Sequence, residues 1–389
     1  MKNRIGPPVE GDDFFGRQKE LEFAFGLIKD GNSLLLAAPR RVGKTSFAKK
    51  LLVTAEKNGW RTMELNLEGI ISEQQFVRFF VQGLETMTWW KNVSSIIRNR
   101  ISGLLDNIDV SLEAEGVKGS IAWKENRKKV FDDLQNLFEH NIDTLIMIDE
   151  LGVLLNAYEK NGKEGIILAE SLLSWFRKLG QISGSKIRWV FCSSIGIRNF
   201  TNRHSISYTI NTLEPYHLKS FDRKSSMTMI NELCSNYNIE LPESVIDAML
   251  DKIDWYLPYF IQLLFSKVKY LHEVDGLLID IKIVDAAYDK LVKSQHFDTW
   301  DERLKQYHKL ENNTRKILKL LSSNPDGANR KTLFNLIHDA QKEETEIEKE
   351  LGTIIRMLAN DGYLLQQEKG NFVFRSPLLK DYWFNKFIR

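Results

Sequence analysis

The chain of 389 residues is 43% hydrophobic and 27% charged. At ~100–200 residues per domain it holds two or three domains with cores of their own, which excludes disordered, collagenous and disulfide-scaffold classes. Its 54 Lys and Arg against 52 Asp and Glu leave a formal charge of +2, without the basic excess of a chain coated in nucleic acid. Two cysteines, Cys192 and Cys234, are too few for a disulfide framework. The first residues, Met1 to Pro8, lack the apolar run of a signal peptide, and no stretch approaches the ~18–20 apolar residues of a membrane span. The expectation is a cytoplasmic protein with no membrane partner.

The first two-thirds alternates strand-like and helix-like segments, the pattern of an α/β fold with a parallel sheet. Ser33–Ala37 is a short apolar run fit for a buried strand. A loop containing Gly43 follows, then a helical stretch from Lys44 to Lys57. Arg61–Leu67 alternates and predicts a second strand. Ser72 to Met87 has helical spacing, with Ser72 and Gln75 placed as a capping box. Thr144–Ile148 and Ile187–Cys192 predict two further strands, and Tyr208–Leu213 a fifth. The polar, Gly-containing stretch around 105–125 is expected to be a β-hairpin insertion. From Phe221 to Phe297 the pattern is helical, punctuated by Pro242 and Pro258; Asp298–Lys309 reads as a linker or connecting helix. Three helical patterns follow from Glu311, then two short strands about Lys369-Gly370-Asn371. Helix–helix–helix–hairpin is the order of a winged helix. The expected domains are a core over 1–213, an all-α lid over 214–297, and a linker with winged helix over 298–389.

The strongest chemical signal is Ala38-Pro39-Arg40-Arg41-Val42-Gly43-Lys44-Thr45, a near match to G-x-x-x-x-G-K-[ST] between a buried strand and a helix. Loop amides and a helix N-terminus present donors and positive potential to phosphates. Lys44 is placed for the β- and γ-phosphates and Thr45 for Mg²⁺, so Pro39 through Lys44, with Thr45 and Ser46, form the expected ATP-binding set. The motif departs at Ala38, which stands where the first glycine belongs and is expected to alter the bend.

The apolar strand Leu145–Ile148 ends in Asp149-Glu150. α/β sheets bind ligands beyond the C-terminal ends of their strands. There Asp149 is the candidate metal ligand and Glu150 the residue that polarises the attacking water. The alternative use of this pair is to cap the next segment. The strand Ile187–Cys192 runs into Ser193 and Ser194; Ser194 is the candidate to touch the γ-phosphate or orient water, Ser193 the alternate. Cys192 reads as a buried apolar residue.

Together these motifs resemble the archaeal-type ATPases of the STAND clade within the AAA+ superfamily. Phe14-Phe15-Gly16-Arg17-Gln18-Lys19-Glu20 resembles that family's hydrophobic–hydrophobic–Gly–Arg–x–x–Glu box. The resemblance implies that Phe15, Gly16 and Arg17 lie beside the adenine and brace the first helix. Trp255-Tyr256-Leu257-Pro258 resembles the lid's Gly-x-Pro, with Tyr256 in place of the glycine; Pro258 would then touch the base. No arginine stands where ordinary AAA+ lids carry one, and Arg198 and Arg203 are candidate arginine fingers. The implied architecture is a P-loop NTPase core, an all-α lid and a winged helix, acting as an ATP/ADP-dependent switch with Mg²⁺.

A winged helix invites a DNA-binding reading, in which the third helix enters the major groove. Here that helix, about Glu343–Asp361, has an apolar face of Ile347, Leu351, Ile354, Ile355 and Leu358. Its other face carries Glu343, Glu344, Glu346, Glu348 and Glu350 against only Lys349 and Arg356. Phosphates would be repelled by that face, so a protein partner or self-association through the lid and winged helix is preferred. An origin-recognition-like DNA initiator or loader is the rival reading, and a nucleotide-locked structural subunit a third. The basic cluster of Lys91, Arg98, Arg100, Lys124, Arg127, Lys128 and Lys129 reads as a solvated helical face.

Overall fold

A computed structural model describes residues 1–86, 127–132, 134–135, 143–181, 185–193 and 196–389, with the single positions 95, 99 and 103. The expected insertion at 105–125 lies outside the described residues, as do Lys91, Arg98, Arg100, Lys124 and Ser194. The chain divides into two compact units. An α/β unit comprises residues 17–38 and 44–218, and a helical unit comprises 1–16, 39–43 and 219–389.

In the α/β unit, five strands form one parallel sheet: β1 (Ser33–Ala37), β2 (Arg61–Asn66), β3 (Thr144–Asp149), β4 (Ile187–Ser193) and β5 (Leu213–His217), in the order β2-β3-β4-β1-β5. Every residue of β1 and β3 is buried, as expected of parallel strands covered on both faces. Helices α1 (Gln18–Lys29), α2 (Lys44–Lys57), α3 (Glu73–Thr86), α4 (Leu151–Lys160), α5 (Gly162–Gln181) and α6 (Gly196–Arg203) surround it. The core holds an aromatic cluster in which Phe176 meets Trp189 edge-on at 5.0 Å and Phe76 at 5.7 Å. The capping box at α3 is present in a shifted form: Ser72 Oγ accepts from the Gln75 amide, and the Gln75 side chain accepts from the amide of Ile71, one residue before the cap.

The fifth strand differs from expectation. Ser207–Ile210 forms a 3-10 turn, because the Thr209 amide and hydroxyl both donate to the Ile206 carbonyl. Pairing with β1 starts only at Leu213. Pro215 fits there because β5 is the edge of the sheet.

In the helical unit, the expected all-helical stretch is α7 (Arg223–Tyr237), α8 (Glu243–Ile253), α9 (Pro258–Glu273) and α10 (Ile281–Val292). Pro242 is the N-cap of α8 and Pro258 is the first residue of α9, where a missing amide hydrogen is harmless. The stretch read as a linker or connecting helix is helical and contributes to the core. It folds as α11 (Asp298–Arg303) and a 3-10 helix (Leu304–Leu310) that bury Trp300, Arg303, Leu304 and Tyr307. Then come α12 (Glu311–Ser323), α13 (Arg330–Ile337), α14 (Glu344–Asp361), the antiparallel pair β6 (Leu364–Gln366) and β7 (Phe372–Phe374), and α15 (Pro377–Phe387).

The apolar face of α14 is buried as its spacing predicts. On its other face Glu348 pairs with Arg330 at 2.5 Å and Glu350 with Lys342 at 2.9 Å, while Glu343, Glu344 and Glu346 stand exposed. At the end of α14, Asp361 accepts from Arg303 (2.9 Å) and from the Tyr307 hydroxyl (2.8 Å), all three groups being buried. The aromatic C-terminus packs inside this unit: Trp383 lies against Tyr363, and Tyr382 donates to Asp298.

Candidate active site

The order of the sheet explains why three distant segments converge. The strand leading into the phosphate loop, β1, and the acidic strand, β3, are not neighbours, because β4 lies between them. Ala37 is level with Ser193, and Asp149 with Cys192. The C-terminal ends of all three strands therefore share one edge, the side on which such sheets bind ligands.

At that edge, in the α/β unit, Lys44 opens α2 and its ammonium donates to the Ala38 carbonyl at 2.8 Å. The Thr45 hydroxyl donates to Asp149 Oδ2 at 2.7 Å, and the Glu150 amide donates to Oδ1 at 2.9 Å. Asp149 is only 7% exposed. The expected metal ligands Thr45 and Asp149 are thus in contact, and both offer hard oxygen donors. Among the described residues, no cluster of three or more His, Cys, Asp or Glu builds a protein-only metal cage. Two oxygens fit an ion whose remaining ligands are phosphate and water, which is how Mg²⁺ is usually bound.

Glu150 stands at φ 56°, in the left-handed region, as the residue before α4. Such a conformation in a non-glycine costs about 1–3 kcal/mol and concentrates at functional positions. Glu150 is the N-cap of α4, and its side chain makes no cap hydrogen bond to that helix. Ser46 is buried on the first turn of α2. Cys192 is buried, and burial followed by the charge of Asp149 pushes its thiol well above the usual range, which rules against a thiolate nucleophile.

The Gly–Arg box is built into the same unit through Arg17 and Glu20. Arg17 is left-handed at φ 63°, caps α1 and is 7% exposed, with its guanidinium 3.5 Å from Glu20. Burial brings its pKa down to about 10, against the pull of Glu20. The Tyr216 hydroxyl donates to the Glu20 carbonyl, and the Tyr216 ring stacks on Phe47 of α2. The box thereby ties α1, α2 and β5 together. Of the two candidate fingers, Arg203 is held by Glu159 at 2.8 Å, and Arg198 is half-buried on α6.

The loop residues 39–43 group with the helical unit. Ala38 is not in a left-handed conformation; the positive φ values fall on Arg41 (67°) and Gly43 (96°). Arg40 donates to the Thr299 carbonyl at 3.4 Å. The Arg41 guanidinium lies 4.4 Å over the Tyr259 ring and donates to the Gly6 carbonyl at 3.3 Å. Val42 is buried, and Pro39 packs at Gly362. Phe15 meets Phe221 edge-on in this unit, and Gly16 faces the same ring. Pro258 immediately precedes Tyr259 at the start of α9. Tyr259, Thr299 and Gly6 carry no motif. Only the position of Tyr259 beside Pro258 hinted at a role.

Two solved structures share this architecture across the chain. The Walker-type ATPase PABY2304 of Pyrococcus abyssi is 15% identical, with a TM-score of 0.65 over 98% of this chain and 99% of that one. The ORC2 protein of Aeropyrum pernix, solved as ADPNP–ADP complexes, is 12% identical, with a TM-score of 0.56 over 99% and 95%. The chain shares their fold, a P-loop NTPase-type five-stranded parallel sheet flanked by helices. At these identities the likeness is one of fold. No protein-family model matches the sequence, and no curated protein matches it. No helix among the described residues is long and apolar enough to cross a membrane.

Proposed function

We propose that the protein binds and hydrolyses ATP as a STAND-like switch, its nucleotide state controlling domain arrangement and a protein partner. The observation that carries this reading is the 2.7 Å bond between the Thr45 hydroxyl and the Asp149 carboxylate, beside Lys44 at the start of α2. In this reading Lys44 leaves the Ala38 carbonyl to neutralise the β- and γ-phosphate oxygens, and the loop amides hold the phosphates. Thr45 and Asp149 would hold Mg²⁺, which when bound would supply positive charge to the nucleotide's phosphates. The Glu150 carboxylate orients the water that attacks the γ-phosphorus, ADP leaves with the bridging oxygen, and inorganic phosphate is released. Phe15, Gly16, Arg17 and Pro258 serve the adenine end, and Ser194 the γ-phosphate. A lid over 214–297 and a winged helix over 298–389 would move with the nucleotide.

The test is ATP affinity and steady-state phosphate release for wild type, Lys44→Ala and Glu150→Gln. Lys44→Ala should lose ATP affinity; Glu150→Gln should keep it and lose turnover. Equal near-zero turnover in wild type and Glu150→Gln would sink hydrolysis-driven switching.

The rival reading is a DNA-binding initiator or loader, and the fold likeness to an ORC2 protein supports it. The exposed Glu343, Glu344 and Glu346 on α14 oppose it. Duplex DNA binding that rises steeply as salt is lowered would favour the rival. A flat response would favour a protein partner.

A further inference from the structure

The two loop arginines invite assignment as phosphate ligands, but their side chains are engaged within the helical unit. Arg41 also holds the less common backbone conformation of the pair's setting: a left-handed φ of 67° on a residue with a Cβ, two positions before Gly43 at 96°. Left-handed residues in a turn swing successive amide hydrogens toward one concavity, which makes an anion-binding nest. Something must hold Arg41 there. Its guanidinium has two anchors, the face of the Tyr259 ring and the Gly6 carbonyl. Tyr259 is itself fixed: it is 7% exposed, packs on Phe260, and follows Pro258 on the first turn of α9.

We propose that Tyr259 is a positioning residue for the phosphate loop, its ring clasping Arg41 so that the loop backbone keeps the left-handed bend that aims its amides at phosphate. The proposal rests on the ATP-binding reading above. Arg41 acts through its backbone, and the cation is the handle by which α9 holds it. The requirement at position 41 is therefore a conformation, which glycine meets without a handle.

The experiment measures ATP affinity by calorimetry on the full chain for wild type, Tyr259→Phe, Tyr259→Leu, Arg41→Ala, Arg41→Gly, the double variant Arg41→Gly/Tyr259→Leu, and Lys44→Ala. Tyr259→Phe keeps the ring and should bind within about twofold of wild type. Tyr259→Leu and Arg41→Ala should bind about five- to thirtyfold more weakly, the left-handed strain of about 1–2 kcal/mol converted at 1.4 kcal/mol per tenfold. Arg41→Gly should bind about five- to thirtyfold more tightly than Arg41→Ala, and in the double variant it should rescue Tyr259→Leu. A merely structural loss at Tyr259 would not be rescued at position 41. Should Tyr259→Leu fail to fold, the contrast between Arg41→Ala and Arg41→Gly decides alone. Arg41→Gly as weak as Arg41→Ala would overturn the proposal and make the guanidinium itself a phosphate ligand. So would wild-type affinity in Tyr259→Leu. Absence of ATP binding by wild type, or undiminished binding by Lys44→Ala, would instead sink the ATP reading beneath it.

Discussion

Gly362, just after α14, is held at φ 85° where a Cβ would lie 2.6 Å from Cη2 of Trp255 and 2.8 Å from Cβ of Pro39 in the phosphate loop. Gly362→Ala therefore meets two penalties. The left-handed backbone costs about 1–2 kcal/mol for a residue with a Cβ. Forcing a methyl against an indole and a proline ring adds about 1–3 kcal/mol of overpacking. Gly370, in the hairpin turn, separates them, since its φ is 87° and nothing lies within 4 Å of its Cβ position. Alanine at either site restrains the unfolded chain equally, so that contribution cancels in the comparison. Urea unfolding followed by tryptophan fluorescence should place Gly362→Ala below Gly370→Ala by about 1–3 kcal/mol, the overpacking part alone. Because the methyl displaces Pro39, Gly362→Ala should also weaken ATP binding while Gly370→Ala leaves it unchanged. Equal destabilisation by the two substitutions would refute the reasoning, for it would mean that Pro39 and Trp255 do not press on Gly362.

The buried Arg303–Asp361 pair should behave as ion pairs in cores do: Arg303→Met strands the carboxylate and should destabilise by about 3–5 kcal/mol, whereas Arg303→Met/Asp361→Leu, which removes both charges, should recover part of the loss in the same urea titration. Tyr216 gives a pH signature. Burial, aided by Glu20, raises its phenol to about 12 against the pull of Arg17, so ionisation is harder in the folded chain than in the unfolded one. Below pH 10 its contribution is fully present, and it is lost as pH rises toward 12; Tyr216→Phe should show a shallower fall in stability across that window than wild type.

Much of the α/β unit was legible because its signals are local. β1, β3 and β4 are short apolar runs bounded by polar residues, and α2 and α3 carry their start signals within three residues of their first turns. The fifth strand was misplaced by a few residues because Tyr208–Ile210 is apolar enough to pass for a strand. Thr209 satisfies its amide and hydroxyl inside a turn, which no periodicity reveals. Asp298–Lys309 looked like a linker or connecting helix from its charges; it is helical, and some of those charges have partners far away in sequence. Asp298 accepts from Tyr382, and Arg303 meets Asp361 across 58 positions of sequence.

Local chemistry thus determined that a loop with the phosphate-loop pattern opens α2 and that two carboxylates end a buried strand. The sheet order came from packing that local patterns do not encode. With β4 seated between β1 and β3, Thr45 reaches Asp149 across 104 positions of sequence. Tertiary structure also decided where the loop arginines go. From sequence they are two cations beside a phosphate motif; in the fold one meets the Thr299 carbonyl and the other the Tyr259 ring. The reason is range: a strand run or a cap is set by neighbours along the chain, whereas a carboxylate's or guanidinium's partner is set by which distant surfaces burial brings together.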